Sequence, residues 1–419
     1  MTLRVWIAGL LLAALFTGCA DSDSETPTAE MPTEAPAATG PAAGVDSLPE
    51  GLLVGLAVLG KDDDGKPLPL PARLGLLTVD EGHWQWRQIE DADSNVFHKA
   101  MPYTTPDGET GVLTFGGTAA IVRWWRPGHD PVEVWREDFG GRHSRMRDAE
   151  IGDLDGDGVD EIAVATHDQG VVVILDPIAA EDGSFGFAVE ELDRKADTFV
   201  HEIEIGDLDG DGTPEVYATP SARNQLDGSE QPGEITRYAG GERSVVGALG
   251  DRHAKEILVA DVDGDGRDEL YAAIEAVSGG EVEIRRYDAD GDSFTETLVA
   301  TLPDTLTRFL TVGDLDGDGT RELVAAASKS GLWLLRDGEK VLIDRDSGGF
   351  EHAALLTDLD GDGADELYVA SDRHGEIRRY IWRDGSPVRT VIHRHEGGLS
   401  GFTWNLMPVP ADLARALAP

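Results

Sequence analysis

The sequence contains a single cysteine, Cys19, among its 419 residues. No disulfide can form within the chain, and its main body has no thiol that could act as a catalytic nucleophile. Basic residues are also scarce: 35 Lys and Arg stand against 80 Asp and Glu, which gives a formal net charge of -45. A surface this acidic repels phosphate backbones, which argues against nucleic acid as a partner.

Aromatic residues make up only 6% of the chain, whereas glycine is abundant, with 51 residues. Short strands joined by tight turns fit this composition better than long packed helices do. After the N-terminus, no segment reaches transmembrane length without charged residues. The sequence also has no nucleophile elbow, no zinc-ligand spacing and no cofactor-binding glycine loop, so no motif indicates catalysis.

The N-terminus has the pattern of an export signal. Arg4 supplies a positive charge, and residues 5–15 form an apolar run that is short for a membrane span. The run ends in LFTGC (residues 15–19), which resembles the lipobox of bacterial lipoproteins. We therefore predict a lipoprotein signal peptide at residues 1–18 and acylation of Cys19. An ordinary signal peptide that contains a cysteine is the alternative.

The acylated cysteine would begin a tether at residues 19–49, which are rich in Ala, Pro, Thr, Ser and acidic residues. Such a segment cannot bury enough apolar surface to fold, so it is expected to be a flexible spacer. The protein is therefore predicted to be exported and anchored to the bacterial cell envelope, with the outer membrane or the cell surface favoured. Its contact with the membrane would be through the lipid alone.

Five acidic nonamers dominate the remaining sequence. They share the pattern Asp-x-Asp-Gly-Asp-Gly-x-x-Glu, and their first aspartates are 54, 54, 53 and 44 residues apart. The candidate metal ligands at positions 1, 3, 5, 7 and 9 are Asp153, Asp155, Asp157, Val159 and Glu161; Asp207, Asp209, Asp211, Thr213 and Glu215; Asp261, Asp263, Asp265, Arg267 and Glu269; Asp314, Asp316, Asp318, Thr320 and Glu322; and Asp358, Asp360, Asp362, Ala364 and Glu366.

The spacing of these residues suits calcium, which takes six to eight oxygen ligands in a flexible shell. Glycines at positions 4 and 6 permit the sharp turn that brings the three aspartates together. The carbonyl at position 7 can add an oxygen, and the glutamate at position 9 can close the shell. Magnesium prefers a smaller and more rigid octahedron. We therefore predict about five calcium ions, with a merely solvated acidic turn as the alternative.

An EF-hand loop opens in the same way, but it needs a glutamate at position 12 and a helix on either side. Position 12 is Val or Ala in all five loops, and the flanking residues alternate as strands do. The pattern instead resembles the FG-GAP and VCBS repeats of integrin α-subunit propellers and bacterial surface proteins. The resemblance covers the five loops and their flanking strands. It implies calcium binding at positions 1, 3, 5, 7 and 9, with Glu at position 9 where the family more often has Asp.

Each repeat can be divided into four strands, which is the plan of a β-propeller blade. In the repeat of the second loop these strands are predicted at 199–206, 214–219, 233–239 and 243–248. Residues 101–115 look like a decayed copy of the repeat. Tyr103 and Thr105 replace its first two aspartates, so this blade is expected to hold no metal.

Three further strands, at 52–59, 72–79 and 83–89, lack a fourth. Residues 401–404 can supply it from the other end of the chain, and this pairing would close the ring and remove exposed strand edges. We therefore predict an all-β fold, a β-propeller of seven four-stranded blades at residues 50–410. Six or eight blades are the alternatives, and residues 411–419 form a C-terminal tail.

A basic residue stands six positions before the first aspartate of each loop. These residues are Arg147, His201, Lys255, Arg308 and His352, and His98 lies within one position of the same register in the decayed copy. Positions two and four before the aspartate are apolar or small, so the basic residue caps a buried stripe at the opposite strand end. In a closed ring these residues would surround one mouth of the axial channel.

Such a ring could focus an anionic ligand, for example a uronate or a sulfated glycan. Alternatively, each basic residue pairs with a carboxylate of a neighbouring blade, for instance Glu202 or Glu351, and only stabilises the mouth. In integrin-like relatives the face opposite the calcium loops binds the ligand, which is an analogy about a face. Trp124 and the other tryptophans of predicted third strands are expected to be packing residues.

Two functional classes follow from these observations, and the sequence leans towards the first. The first is a calcium-stabilised recognition domain of the cell envelope that binds a glycan or a protein. The second is an extracytoplasmic carbohydrate-active enzyme such as a polysaccharide lyase, in which His and Arg of the basic ring would be catalytic. A purely structural envelope protein is a third, weaker possibility.

Overall fold

The structure, a computed structural model, describes residues 46–117, 119–140, 145–167, 169–179, 185–223, 229–277, 279–291, 293–336 and 338–418. The predicted signal peptide, Cys19 and most of the predicted tether lie outside the described residues. No helix within the described residues is long and apolar enough to cross a membrane.

The described residues form 29 β-strands and one short α-helix, and the strands make seven antiparallel sheets. The first sheet begins with β1 (Glu50–Lys61), β2 (Pro67–Pro69), β3 (Ala72–Asp80) and β4 (His83–Asp91). The second consists of β5 (Phe97–Thr104), β6 (Thr110–Gly116), β7 (Ala120–Trp125) and β8 (Val132–Glu137). The third consists of β9 (Met146–Gly152), β10 (Glu161–Thr166), β11 (Val172–Ala179) and β12 (Phe185–Asp193).

The remaining four sheets repeat this four-stranded plan. The fourth consists of β13 (Thr198–Gly206), β14 (Glu215–Ala222), β15 (Glu234–Ala239) and β16 (Glu242–Ala248). The fifth consists of β17 (Ala254–Ala260), β18 (Glu269–Ile274), β19 (Val282–Asp290) and β20 (Ser293–Leu302). The sixth consists of β21 (Thr307–Gly313), β22 (Glu322–Ala327), β23 (Gly331–Arg336) and β24 (Glu339–Asp344). The seventh consists of β25 (Ala354–Thr357), β26 (Glu366–Ser371), β27 (Glu376–Arg383) and β28 (Ser386–Arg394).

The last strand, β29 (Gly401–Pro410), belongs to the first blade. It pairs antiparallel with β1 from Glu50 opposite Pro410 to Val58 opposite Gly401, and β1 then pairs with β3 and β3 with β4. The two ends of the propeller therefore share one sheet and close the ring. The predicted all-β fold, a propeller of seven four-stranded blades closed by its terminal strands, is confirmed.

Seven apolar clusters hold the blades together, one at each boundary between neighbouring blades. At the boundary of the third and fourth blades, for example, Ala163 and Val172 pack with Ile203 and Val216. The second strands of the blades lie between two such boundaries. They are buried on both faces and read as continuous apolar runs such as ELVAAA in β22.

The predicted C-terminal tail, residues 411–419, contains a helix. This helix, α1 (Ala411–Leu417), has Ala411 and Ala414 buried. The Nε atom of Arg415 lies 2.6 Å from an Asp80 carboxylate oxygen at the end of β3. The helix therefore packs onto the first blade and helps to fix its closing strand.

Candidate functional site

Each acidic loop connects the first and second strands of its blade, and the fold brings its carboxylates together. In every loop, ligand oxygens from three or four acidic side chains lie within 4.8 Å of one another. The clusters are Asp153, Asp155 and Glu161; Asp207, Asp209 and Asp211; Asp261, Asp263, Asp265 and Glu269; Asp314, Asp316 and Glu322; and Asp358, Asp360 and Glu366.

Backbone amides shape these loops around the aspartates. In the fifth loop, Asp358 accepts hydrogen bonds from the amides of Gly361 (2.6 Å) and Gly363 (2.9 Å), both in the left-handed region at φ 75° and 94°. A side chain would strain this turn, which explains the glycines. The carboxylate at position 5 accepts a bond of 2.8–3.0 Å from the amide at position 7 in all five loops; those residues are Val159, Thr213, Arg267, Thr320 and Ala364.

The glutamate at position 9 begins the second strand of each blade and is buried. In four loops its carboxylate accepts a bond from the backbone amide at position 2, as Glu269 does from Val262 at 3.0 Å. Burial raises the pKa of Glu269 and of Glu366 to about 7. A glutamate at this position is therefore either protonated near neutral pH or ionised and stabilised by a nearby cation.

Arginines that the sequence reasoning missed lie in four of the five loops. Each comes from the third strand of its own blade and contacts both the aspartate at position 3 and the glutamate at position 9. Arg286 lies 2.9 Å from Asp263 and 3.3 Å from Glu269. The equivalent residues are Arg237 in the second loop, Arg336 in the fourth and Arg379 in the fifth. In the described part of the third blade, the first loop has no such contact.

The donor set of the loops fits calcium. The clusters contain only carboxylate oxygens, which calcium prefers, and neither histidine nor cysteine, which zinc would favour. Glu161, with its pKa raised by burial next to Asp155 and Asp157, is a side chain that a divalent ion would stabilise. The side chains that the fold places to hold such an ion are those at positions 1, 3 and 9 in four loops, joined by position 5 in the third, and those at positions 1, 3 and 5 in the second loop.

At the opposite mouth of the channel, a β-bulge interrupts the innermost strand of six blades, which is β29 in the first blade and the first strand in the others. In the first three blades the extra residue is Trp404, His98 or Arg147. In the next three blades two residues oppose a single one, and the first of the two is His201, Lys255 or Arg308. We name this set the bulge ring. A bulge leaves one residue unpaired in the ladder and re-aims its side chain. The regular alternation assumed from the sequence therefore ends at these positions.

His352 is the exception among the six predicted ring residues. It precedes β25, has φ 61°, and is fully buried between Ser347 Oγ (2.7 Å) and the Ala327 carbonyl (2.7 Å). Its ring nitrogens are used in these bonds. Trp404, which the register count did not identify, is the bulge-ring residue of the first blade.

Two glutamates join the cations of the bulge ring. Arg308 lies 3.0 Å from Glu275 and 2.6 Å from Glu351, and Arg147 lies 3.7 Å from Glu351. Lys255 lies 3.6 Å from Glu275. Pairing with Glu351 was one of the alternatives foreseen, whereas Glu275 was not identified. Arg147 also stacks on Trp404, with its guanidinium carbon 4.4 Å from the ring centroid.

A small cavity of about 40 Å³ lies among these side chains. It is lined by His98, Lys99, Arg147, Asp148, Glu202, Lys255, Arg308, Phe309, Glu351, Trp404 and Asn405. Of the six predicted ring residues, His98, Arg147, Lys255 and Arg308 border this cavity. Burial lowers the pKa of His98 and of His201 well below the ordinary value, so both rings are neutral.

In three blades, the residue directly after the bulge-ring residue forms a hydrogen bond with the backbone of the next blade. Asn405, Asp148 and Glu256 accept the backbone amides of Ala100 (3.1 Å), Ile203 (3.1 Å) and Leu310 (2.7 Å), respectively. These bonds cross a blade boundary at the level of the channel. The side chains next to the bulge ring therefore also hold neighbouring blades in register.

Residues 153–218 and 261–325 match the family model of the FG-GAP-like repeat. These two stretches of the chain are similar to FG-GAP-like repeats. The two matched stretches contain the first four acidic loops, so they support the resemblance drawn from the sequence pattern. A comparison with curated proteins finds no significant match.

The solved structures with a similar fold share little sequence identity with this chain. A periplasmic gluconolactonase from Pseudomonas aeruginosa is 14% identical, with a TM-score of 0.49, and the match covers 85% of this chain and 99% of that one. A rhamnogalacturonan lyase from Bacillus licheniformis is 14% identical, with a TM-score of 0.40 and coverage of 81% and 71%. An α-L-arabinanase from Penicillium chrysogenum is 12% identical, with a TM-score of 0.41 and coverage of 72% and 94%.

Proposed function

We propose that this protein is a binding propeller of the bacterial cell envelope that recognises an anionic group of a glycan or protein ligand. The observation that carries the proposal is the bulge ring, because it places cationic and aromatic side chains from several blades around one cavity. A bulge repeated at one register position in six blades re-aims a side chain each time. The ring is the part of the described channel where these re-aimed groups converge.

The charges at the mouth are close to balanced. The cations Lys99, Arg147, Lys255 and Arg308 face Asp148, Glu150, Glu275 and Glu351, with Glu150 paired to Lys99. Burial and the neighbouring Asp148 raise the pKa of Glu202 well above its ordinary value, so Glu202 holds a proton. An anion would therefore meet less repulsion at this mouth than at the acidic loops of a molecule whose net charge is -45.

The size of the cavity limits which part of a ligand can enter it. A volume of about 40 Å³ holds little more than one water-sized group. A carboxylate or a sulfate oxygen fits there, whereas a whole sugar ring stays outside. The Arg147 Nε and Trp404 Nε1 atoms are buried donors without a hydrogen-bond acceptor among the described residues. An anionic oxygen would satisfy them.

The acidic loops complete the proposal by holding calcium, about one ion in each. Calcium in this position would have a structural role, since it would relieve the repulsion among carboxylates that the fold crowds together. Acylation at Cys19, export and the flexible tether remain part of the proposal on the strength of the sequence pattern. Radiolabelled palmitate incorporated into wild type, and not into Cys19→Ser, would test the anchor.

A glycan array tests the binding function directly. The calcium-loaded protein is expected to bind uronate-containing or sulfated glycans and to lose this binding with excess chelator. Arg147→Gln should weaken binding at least tenfold, because it removes a bulge-ring cation. Arg383→Gln, at an exposed position of β27, is the matched control and should bind like wild type. Equal binding by both variants would refute the assignment of the bulge ring, provided that their melting temperatures match.

A second candidate function is a polysaccharide lyase, and the environment of Lys255 favours it. Burial and the nearby Arg308 lower the pKa of Lys255 to about 8, which suits a base in β-elimination next to an arginine that neutralises a uronate carboxylate. Unsaturated products from acidic polysaccharides would be seen by ultraviolet absorbance. Their formation by wild type and loss in Lys255→Met would establish the enzyme; binding without products would establish the binding module.

A further inference from the structure

A larger cavity lies between the second and third blades, on the face that carries the acidic loops. Its volume is about 170 Å³. One wall is apolar and includes Trp124, Phe185 and Ile178; the other is polar and includes Thr105, Glu109 and Arg126. This cavity is distinct from the bulge ring, which lies at the opposite end of the first strands.

The decayed acidic loop forms the polar wall of the cavity. Thr105 stands at position 3, where the other loops have an aspartate, and its hydroxyl accepts a 3.1 Å hydrogen bond from the Glu109 amide. The Gly108 amide donates to the Thr105 carbonyl at 2.8 Å. The turn is therefore fixed by its own bonds, and the side chains of Glu109 and Arg126 (2.9 Å apart) project from a rigid base.

The aromatic wall exists because Tyr103 replaces the first aspartate of the loop. Its ring lies 6.0 Å from Trp124 and 6.2 Å from Phe185, and Trp124 meets Phe185 edge to face at 5.6 Å. Gly111 of β6 makes room for the indole, since a Cβ there would lie 2.7 Å from Trp124 Cη2. An aromatic cluster therefore lies where the five acidic loops have their first aspartate.

We propose that this cavity binds an uncharged sugar ring. The aromatic and aliphatic wall, with Ile178 45% exposed at its edge, suits the apolar C–H face of a pyranose. Glu109 and Arg126 offer an acceptor and a donor side by side, which is what a hydroxyl group needs. Trp124 Nε1, a buried donor with no acceptor among the described residues, is a further point for a hydroxyl.

The charge of this cavity differs from that of the bulge ring. The cavity wall contains two carboxylates, Asp107 and Glu109, and one cation, Arg126, so its net charge is negative. It disfavours uronates and sulfated sugars, which the bulge ring would favour. The two sites would therefore bind different units of a mixed polysaccharide from opposite faces of the propeller. This cavity would bind a neutral unit, and the bulge ring would bind an acidic one.

Saturation-transfer NMR on the full chain in calcium tests the proposal with defined probes. The probes are cellobiose, mannobiose and galactobiose, with digalacturonate as the charged comparison and an apolar pentapeptide as the rival occupant. At least one neutral disaccharide is expected to bind, and Glu109→Gln and Ile178→Glu should each weaken it at least tenfold. Val341→Glu, at a similarly exposed apolar residue of the sixth blade, should bind like wild type.

The outcomes separate this site from the bulge ring. Neutral-sugar binding that survives Arg147→Gln but is lost in Ile178→Glu supports the proposal, whatever the fate of anionic ligands. No binding of any neutral disaccharide overturns it, as does binding that only bulge-ring variants abolish. Capture of the pentapeptide without any sugar would also overturn it and would make the cavity a peptide site.

Discussion

The arginine within four of the acidic loops gives each of those loops a built-in positive charge. In the fourth loop, Arg336 lies 2.9 Å from Asp316, 3.0 Å from Asp318 and 3.1 Å from Glu322. The guanidinium lowers the repulsion among the carboxylates when no ion is bound, but it also repels a calcium ion that would share the same oxygens. Among the described residues the first loop has no such arginine, so a cation from solution would have to supply the same relief.

Arg336→Gln is therefore expected to strengthen calcium binding to the fourth loop about tenfold and to lower the melting temperature of the metal-free protein. Calorimetric titration and a melting curve in chelator measure the two effects. Arg383→Gln is the control and should change neither. Weaker calcium binding in Arg336→Gln would mean that the arginine holds the carboxylates in place for the ion.

A titrating residue also lies at the closure of the ring. The Asp372 carboxylate accepts the amide (2.9 Å) and the hydroxyl (2.7 Å) of Thr403 in β29, and burial raises its pKa to about 7. The folded state therefore binds this proton more tightly than the unfolded state, where the ordinary value is 3.8. The resulting stability is present below about pH 4 and is lost as the pH rises to about 7.

The difference in unfolding free energy between wild type and Asp372→Asn should change with pH accordingly. Wild type should lose stability relative to the variant by up to about 4 kcal/mol between pH 4 and pH 8, since one pKa unit corresponds to about 1.4 kcal/mol. Urea denaturation at a series of pH values measures it. A difference that stays constant with pH would contradict the raised pKa.

At the scale of strands, the alternating pattern predicted the elements well and the bulges not at all. The strands forecast for the fourth blade, such as 199–206 and 243–248, match β13 and β16 to within a residue. Alternation reports only that a strand has two faces. It carries no signal for one extra residue, because a bulged segment and a regular one have the same composition.

The candidate site also contains some features that the sequence predicted and others that it did not. The loop carboxylates were predicted because their spacing alone brings them together within one turn. The loop arginines, Glu275 and Trp404 come from other strands or from the far end of the chain, and their approach depends on packing that local spacing does not encode. The proposed roles of the bulge ring and of the calcium ions stay predictions for experiment.

Glu256 links two first strands across a blade boundary through the Leu310 amide at 2.7 Å. Burial raises the pKa of Glu256 well above its ordinary value, so the side chain is neutral. Glu256→Gln keeps the accepting oxygen and should be nearly as stable as wild type. Glu256→Ala leaves a buried amide unsatisfied and should cost about 1–3 kcal/mol in urea denaturation. Equal losses in the two variants would show that the charge, and not the bond, matters.

At the scale of the whole molecule, seven boundary clusters join the blades, and five acidic loops crowd carboxylates together. The loops lie on one face of the ring, where their carboxylates repel one another. The net charge of -45 adds a long-range repulsion across the whole molecule. Calcium would relieve both. High salt screens only the long-range part, because the carboxylates within a loop are closer than a Debye length.

Excess chelator is therefore expected to lower the melting temperature by 10 °C or more, on the order of what several lost kcal/mol cause in a chain of this size. Sodium chloride added to the chelated protein should restore only a minor part, and calcium should restore all of it. Scanning calorimetry measures the three states. An unchanged melting temperature in chelator would refute a structural role for the ion.

The pairing of β29 with β1 has a consequence for how the molecule is made. The first blade receives its innermost strand from residues 401–410, so a nascent chain holds an unfinished sheet until those residues have been synthesised. Six blades can assemble earlier, but the circle stays open with two unpaired edges. A chain that stops before residue 401 would thus keep exposed strand edges and be prone to self-association.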